Sequence, residues 1–189
     1  MKSIITSSFN FVYNNKNPWI HKANELLHSA IILRDISIDA SKKIKKIKNN
    51  GNEVGPEVEV IIKDWSIFNQ ATLLFGFFLE NILKGIWIDK NNIKHDINLK
   101  KLPKELITHN LVSLSQKVDI ELTKPEIKVL NQFTACIIWY GRYPVTVKLE
   151  EYQKHFKSQP AYFIDNGLKE ELPKELKSII NKISDKINS

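Results

Sequence analysis

Residues 71–88 read ATLLFGFFLENILKGIWI and form the longest apolar tract in the 189-residue chain. The tract approaches the length of a membrane span, but Glu80, Asn81 and Lys84 lie at its middle, and ionised groups there would be costly in lipid. A helix that is apolar nearly all round is typical of the centre of a helical core. We therefore predict a central core helix from about Glu57 to Asp89, and no association with a membrane.

The segment before this tract also has the period of a helix. Apolar side chains recur at three- and four-residue steps over residues 19–47. Asn17 is a good N-cap, and Pro18 suits the first helical position because its missing N–H costs nothing there. The sequence therefore predicts a first helix from Asn17 to about Asn49, followed by a loop of turn-forming residues over 49–56.

Later helices are predicted from their capping residues. Thr108 is placed to cap a short helix from His109 to about Val118. Residues 123–126 read TKPE, which matches the capping-box pattern and predicts a buried helix that ends at Gly141. A last amphipathic helix is expected over 172–187, where apolar residues again recur at helical spacing.

Together these elements predict an all-α fold, an up-and-down bundle of about four helices with peripheral C-terminal helices. The length fits one domain over 1–189, with a core at about 17–144 and an extension at 145–189. The single Cys136 excludes a disulfide framework, and we expect it to be a buried packing residue. The N-terminus contains no apolar segment typical of a signal peptide, which favours a cytoplasmic location.

Three motifs follow one another along the chain. They are FGFFLENILKG at 75–85, HNL at 109–111 and YGRYP at 140–144. In this order, separated by compatible helices, they resemble the HEPN family of prokaryotic helical domains, and the likeness covers roughly residues 17–144. The resemblance implies a dimer-forming helical domain connected with RNA or nucleotides, often in toxin–antitoxin and phage-defence systems.

The resemblance does not extend to the usual catalytic motif of that family. HEPN ribonucleases carry an Arg followed four to six residues later by a His, which together hold a scissile phosphate and move the proton of a ribose 2′-OH. Here the next histidine after Arg142 is His155, and Pro144 interrupts the helix between them. We therefore expect binding without cleavage and no cofactor. The alternative enzyme is a metal-independent ribonuclease with a rearranged set of Arg142, His109 and Tyr143.

Five residues are candidates for ligand contact: Glu80, Lys84, His109, Arg142 and Tyr143. Glu80 and Lys84 lie one turn apart on the central helix. They either pair internally with Arg142 or His109 in a buried network or line a pocket for a phosphate-bearing ligand. Arg142 can bind phosphate through two hydrogen bonds, and Tyr143 can stack on a base. The same two residues also suit a helix end and a turn, so their role stays open.

The densest basic run is KKIKKIK at 42–48, in a chain with a formal net charge of +7. Either its lysines form the solvated side of the first helix, or they bind a polyanion such as RNA. The nucleic-acid candidates are Lys42, Lys43, Lys45, Lys46 and Lys48.

His21, Glu25 and His28 share one face of the first helix, opposite its apolar stripe. Two imidazoles and a carboxylate at this spacing resemble a metal site, but the sequence nominates no further ligands, and we expect no bound metal. We interpret the three residues as a solvated face or a dimer contact. A helical interaction module is the remaining alternative for the chain, binding a second copy of itself or a cognate partner protein.

Overall fold

The computed structural model describes residues 15–49, 67–91, 103–140 and 171–188, together with Ser8, Phe11, Val12 and Glu150, but not the side chains of 48, 49, 139 and 140. This part of the protein is all-α and contains no strand, as predicted. Its helices are α1 (Lys16–Asn49), α2 (Phe68–Asn91), α3 (Leu111–Lys117), α4 (Lys124–Ala135) and α5 (Lys174–Asn188). A 3-10 turn at Lys104–Leu106 precedes α3, and a π-helical turn at Cys136–Tyr140 continues α4.

Helices α1 and α2 pack antiparallel. At one end of the pair Lys16 Nζ lies 2.7 Å from Asp89 Oδ2, and towards the other end Arg34 and Phe68 line the same small cavity. Every residue from Ile82 to Ile88 is buried, on all sides of the helix, which confirms α2 as the core helix. By length and composition α2 would also fit a membrane span, as core helices of soluble proteins do, and 72% of its most apolar window is buried inside the protein.

Two glycines in α2 allow its neighbours to approach closely. A Cβ on Gly76 would lie 2.7 Å from Ile137 Cγ1 and 3.5 Å from the carbonyl oxygen of Phe133. A Cβ on Gly85 would lie 3.1 Å from the Cβ of Trp19 on α1. Because real Cβ atoms essentially never show the first of these distances, alanine at position 76 would force the Ile137 side chain or the packing around it to shift.

The start of α1 differs from the prediction. Asn17 is not the N-cap, because α1 begins at Lys16 and the Asn17 N–H donates to Oδ1 of Asn15 at 2.8 Å. Asn15 therefore satisfies one of the orphan donors of the first turn. Pro18 still lies in that turn, where its missing N–H costs nothing. Helix α1 is described as far as Asn49, and the residues that follow lie outside the described part of the chain, so its predicted end stays a prediction.

The prediction of one unbroken central helix from Glu57 to Asp89 is wrong at Ile67, and Glu57 itself lies outside the described residues. Ile67 is a turn residue whose carbonyl accepts the N–H groups of Gln70 and Ala71, and α2 begins at Phe68. Apolar residues continue upstream of Ile67, so the hydrophobic period does not mark the break. Residues 50–66, including most of the predicted loop, lie outside the described part of the chain.

Helix α3 is capped by Asn110 and not by Thr108. The Ser113 N–H donates to Asn110 Oδ1 at 2.9 Å, whereas Thr108 Oγ1 accepts the Asn110 N–H at 3.1 Å in the turn before the helix. The helix ends in a Schellman motif, in which the Ile120 N–H donates to the Ser115 carbonyl at 3.0 Å. Asp119 adopts the left-handed φ of 54° that this motif requires.

The predicted capping box at the start of α4 is confirmed. The Thr123 N–H donates to Glu126 Oε2 at 2.7 Å, and the Glu126 N–H donates to Thr123 Oγ1 at 3.4 Å. The helical path continues through the π-turn to Tyr140, and the predicted stop at Gly141 lies outside the described residues.

Helix α5 joins the main core and is not peripheral, in contrast to the prediction. It runs over Lys174–Asn188, close to the expected 172–187. Its buried side chains Leu176, Ile179 and Ile183 belong to the same apolar cluster as the residues of α2. The C-terminal extension therefore contributes directly to the fold.

Glu126 connects α4 to α5. Ser178 Oγ donates to Glu126 Oε1 at 2.7 Å, and Lys182 Nζ lies 2.8 Å from Oε2. Burial alone raises the pKa of Glu126, but hydrogen bonds from Lys182, Thr123 and Ser178 outweigh it and lower the pKa from 4.5 to about 2. The carboxylate thus caps one helix and binds a second.

Candidate functional site

Glu80 and Lys84 form a buried ion pair on the central helix. Lys84 Nζ lies 2.6 Å from Glu80 Oε1, and each side chain is only 8% exposed. An exposed pair at this spacing contributes little to stability, but a buried charge is costly unless it is paired and hydrogen-bonded. Each member of this pair therefore depends on the other.

His109 connects this pair to solvent. Its Nδ1 lies 2.8 Å from Glu80 Oε2, and its side chain is 44% exposed. Because an ionised Glu80 can only accept, Nδ1 must carry the hydrogen, and Nε2 of the neutral imidazole keeps its lone pair. The carboxylate thus fixes both the orientation and the tautomer of the ring.

The position of His109 is set by the start of α3. Asn110 caps this helix, and the N–H of the fully buried Leu111 donates to Thr134 Oγ1 on α4 at 3.1 Å. These bonds hold the backbone next to His109 against α4, while Glu80 approaches from α2. The cluster of Glu80, Lys84 and His109 therefore lies where three helices meet.

Lys84 retains hydrogen-bonding capacity at this junction. Glu80 is its one partner among the residues that the structure describes, although an ammonium group carries three donors. Both carboxylate oxygens of Glu80 are already engaged, one by Lys84 and one by His109. Among the residues that the structure describes, the unused donors of the cluster therefore belong to Lys84, and the unused lone pair belongs to Nε2 of His109.

The structure brings together three of the five predicted ligand-contact residues. Internal pairing of Glu80 with His109 was one of the two arrangements expected for the polar positions of α2, and this contact is observed. Arg142 and Tyr143 lie outside the described residues, as do Pro144 and His155. The pairing of Glu80 with Arg142 stays a prediction.

The basic run lies at the C-terminal end of α1. Lys42, Lys43, Lys45 and Lys46 are exposed, whereas Ile44 and Ile47 are half-buried. The side chain of Lys48 is outside the described set. Since Lys16 lies opposite Asp89, antiparallel packing places Glu80 level with residue 25 of α1, about 30 Å along the helix axis from the lysines.

The other candidates from the sequence show no catalytic arrangement. His21 Nδ1 lies 3.3 Å from Glu25 Oε1 on an exposed face, and the described residues contain no group of three or more potential metal ligands. Cys136 is buried, as predicted, and burial raises the pKa of its thiol to about 12. The thiol is therefore protonated at neutral pH and is not a nucleophile.

Sequence reasoning did not single out Gln132. Its side-chain amide nitrogen and oxygen are both buried and have no hydrogen-bond partner within the described part of the chain. It also missed the cavity between α1, α2, α4 and α5, which measures about 30 Å³ and has Arg34 and Thr72 in an otherwise largely apolar wall. The position of a polar residue in a helical sequence does not show which residues of other helices pack against it. Neither the buried amide of Gln132 nor the cavity could therefore be predicted.

Comparison with known proteins leaves this site without a template, since no family model, curated protein or solved structure matches the chain. The site offers a buried ammonium, with donors that the described residues leave unused, and an oriented, half-exposed imidazole. The ammonium binds oxyanions such as phosphate, and the imidazole does so only when it is protonated at Nε2.

Proposed function

We propose that this chain is a HEPN-like, RNA- or nucleotide-binding component of a prokaryotic stress or defence system of the toxin–antitoxin or anti-phage kind. The proposal rests on the cluster of Glu80, Lys84 and His109, which lies on two of the three motifs that resemble that family. In this proposal the chain binds its ligand without the usual Arg-His cleavage motif.

The charge pair in the core supports a role beyond packing. Replacing a buried ion pair by apolar side chains of similar volume is often neutral or stabilising, so stability alone does not require Glu80 and Lys84. A ligand phosphate beside Lys84 would use the donors that the described residues leave unused. His109, at the solvent side of the cluster, would donate to the phosphate when protonated.

The lysines of α1 favour RNA over a single nucleotide. Lys45 and Lys46 are exposed and lie about 30 Å along the helix from the level of Glu80, further than one nucleotide can reach. A strand of RNA could contact both positions, and its binding would weaken steeply with salt as counterions are released. A nucleotide would use the cluster alone.

The experiment is a binding assay with end-labelled mixed RNA and, separately, a labelled nucleoside triphosphate. The double variant Glu80→Met/Lys84→Met removes the pair without leaving a buried unpaired charge, and we expect it and His109→Ala to lose affinity for both probes. Lys45→Glu/Lys46→Glu should weaken RNA binding only and reduce its salt dependence. Lys124→Glu/Lys128→Glu, two exposed positions on α4, is the control with the same change of net charge.

Retention of both probes by Glu80→Met/Lys84→Met and by His109→Ala would contradict the cluster as the binding site. Absence of binding by the wild-type chain at low salt would contradict the RNA and nucleotide proposal altogether. In that case the helical interaction module would be the function to pursue.

A ribonuclease is the second candidate, and the Glu80–His109 contact favours it. A carboxylate on Nδ1 leaves Nε2 able to accept the proton of a ribose 2′-OH, as a general base does. The same gel scores cleavage, with and without metal. Loss of cleavage in both His109→Ala and Arg142→Ala would support a rearranged nuclease site, whereas retention without cleavage supports the binding function.

A further inference from the structure

His109 keeps one ring nitrogen with a lone pair where α2, α3 and α4 meet. Its Nδ1 lies 2.8 Å from Glu80 Oε2, and its side chain is 44% exposed. Nε2 has no partner among the residues that the structure describes. A neutral imidazole nitrogen is a nucleophile as well as a base, so Nε2 can form a covalent bond to an electrophile.

The carboxylate that holds this ring is itself fixed. Glu80 is 8% exposed, and Lys84 Nζ lies 2.6 Å from its other oxygen. The backbone beside His109 is held as well, because the N–H of Leu111 donates to Thr134 Oγ1 at 3.1 Å. The ring is therefore oriented before any reaction takes place, which lowers the entropy cost of reaching the transition state.

A second set of the same three residue types lies on α1 but is exposed. His21 Nδ1 lies 3.3 Å from Glu25 Oε1, and these side chains are 78% and 50% exposed. Lys22 Nζ lies 2.8 Å from the other oxygen of Glu25, and its side chain is 61% exposed. Because water screens exposed ion pairs and competes for their hydrogen bonds, Glu25 does not fix the ring of His21. The two sets therefore differ in burial and not in composition.

The buried carboxylate favours attack by Nε2 on phosphorus. When Nε2 bonds to a phosphoryl group, the ring is still protonated at Nδ1 and gains a positive charge. Glu80 stabilises this charge as the carboxylate of a catalytic triad stabilises its imidazolium, and the effect is larger where water is excluded. The hydrogen on Nδ1 also leaves that nitrogen without a lone pair for attack.

We propose that His109 is a site of phosphorylation at Nε2, with Glu80 as a positioning residue that Lys84 holds in place. The phosphoryl donor is a phosphoramidate. The Nε2 lone pair forms the new N–P bond, the N–P bond of the donor breaks, and its electron pair leaves with the donor nitrogen. In phosphoramidate itself that nitrogen is already protonated, so the leaving group is ammonia and no other proton moves.

Phosphorylation would change the charge of the cluster. A phosphoryl group adds a charge of about −1.5 to −2 at neutral pH, beside a histidine that is proposed to contact phosphate. The modified chain should therefore bind RNA and nucleotides more weakly. This consequence rests on the proposed function, whereas the modification itself does not.

The experiment incubates the full chain with potassium phosphoramidate at pH 8 and follows phosphorylation by mass spectrometry after digestion at the same pH. We expect His109 to react roughly tenfold faster than His21 or more, although His21 is the more exposed, because its ring is oriented in advance. Phosphorus NMR should show the Nε2 isomer alone at His109. A reaction governed by exposure would favour His21.

Glu80→Met/Lys84→Met removes the positioning carboxylate without leaving a buried unpaired charge. It should slow His109 to about the rate of His21 and allow both ring isomers, a change that a purely structural role of Glu80 would not produce. Glu25→Gln is the matched control in the exposed set and should leave the rate at His109 unchanged. Circular dichroism on each variant checks that the helices are intact.

Three results would overturn the proposal: equal rates at His21 and His109 in the wild type, a mixture of isomers at His109, or a wild-type rate in Glu80→Met/Lys84→Met. Selective Nε2 phosphorylation of a chain that binds neither RNA nor nucleotide would support this inference and contradict the proposed function.

Discussion

Lowering the pH should weaken the contact between α4 and α5, because it protonates one carboxylate, that of Glu126. Glu126 is 2% exposed, and its folded-state pKa of about 2 lies below the ordinary value of 4.5. A depressed pKa of this kind stabilises the fold above pH 4.5, and the contribution is lost as pH falls from 4.5 towards 2. The full contribution is about 3 kcal/mol, since one pKa unit corresponds to about 1.4 kcal/mol.

The expected size of the effect follows from the same linkage. Between pH 7 and pH 3, protonation of the unfolded chain at this position removes about 2 of those roughly 3 kcal/mol, and most of the rest disappears by pH 2. The perturbation to compare with is Glu126→Gln, which keeps the shape of the side chain but cannot ionise. The difference between the unfolding free energies of the two proteins cancels the contribution of every other carboxyl group that titrates.

The assay is urea unfolding of the wild type and Glu126→Gln at several pH values from 7 to 2, followed by circular dichroism. The stability advantage of the wild type should shrink by about 2 kcal/mol between pH 7 and pH 3. Glu121→Gln is the matched control, because Glu121 is exposed in the loop just before α4 and its side chain makes none of the Glu126 hydrogen bonds.

A difference between wild type and Glu126→Gln that is constant across this pH range would refute the reasoning. It would mean that the hydrogen bonds from Lys182, Ser178 and Thr123 do not favour the ionised form of Glu126.

Three further predictions follow from the packing of α2 and α4. Lys84→Met should destabilise the fold by roughly 3–5 kcal/mol, because it leaves Glu80 buried without its cation. The double variant Glu80→Met/Lys84→Met should lie within about 1–2 kcal/mol of the wild type. Equal losses of unfolding free energy in the two variants, measured by urea unfolding, would contradict this view of the pair. Gly76→Ala should lower the free energy of unfolding by about 1–3 kcal/mol despite the better helix propensity of alanine, since its Cβ would lie 2.7 Å from Ile137 Cγ1. A double-mutant cycle with Ile137→Ala should show that the second substitution relieves part of this loss. Cys136 should resist iodoacetamide in native buffer at pH 8 and react only as the protein unfolds, because burial raises the pKa of its thiol to about 12. Rapid labelling of the folded chain, detected by mass spectrometry, would contradict this prediction by showing that the thiol is accessible.

Much of the fold could be predicted because its signals are local. The apolar tract at 71–88 identified the core helix, and the TKPE sequence at 123–126 identified the start of α4 through contacts within four residues. The apolar spacing over 172–187 identified α5. The capping residues could not be predicted where two neighbouring polar residues were both suitable. Asn15 caps α1 although Asn17 is an equally suitable residue type, and Asn110 caps α3 although Thr108 is also suitable.

In the candidate site, too, the local contact could be predicted and the long-range contact could not. The spacing of Glu80 and Lys84 predicts a pair on one helical face, because residues four apart are neighbours on any α-helix. The sequence could not decide whether that pair is exposed or buried, nor which distant residue completes it. His109 lies 29 positions from Glu80, and their contact exists because Asn110, Leu111 and Thr134 hold the start of α3 against α4.

The sequence by itself determined which segments are helical and which side of each helix is apolar, since both depend on neighbours within a few residues along the chain. Only the tertiary structure decided which apolar surfaces are covered. Packing of α1, α3, α4 and α5 around α2 buried an ordinary i,i+4 pair and brought His109 to it, while Ile32 and Ile36 stayed exposed. The physical reason is that burial and long-range hydrogen bonds depend on helix packing, which the local period of a sequence does not encode.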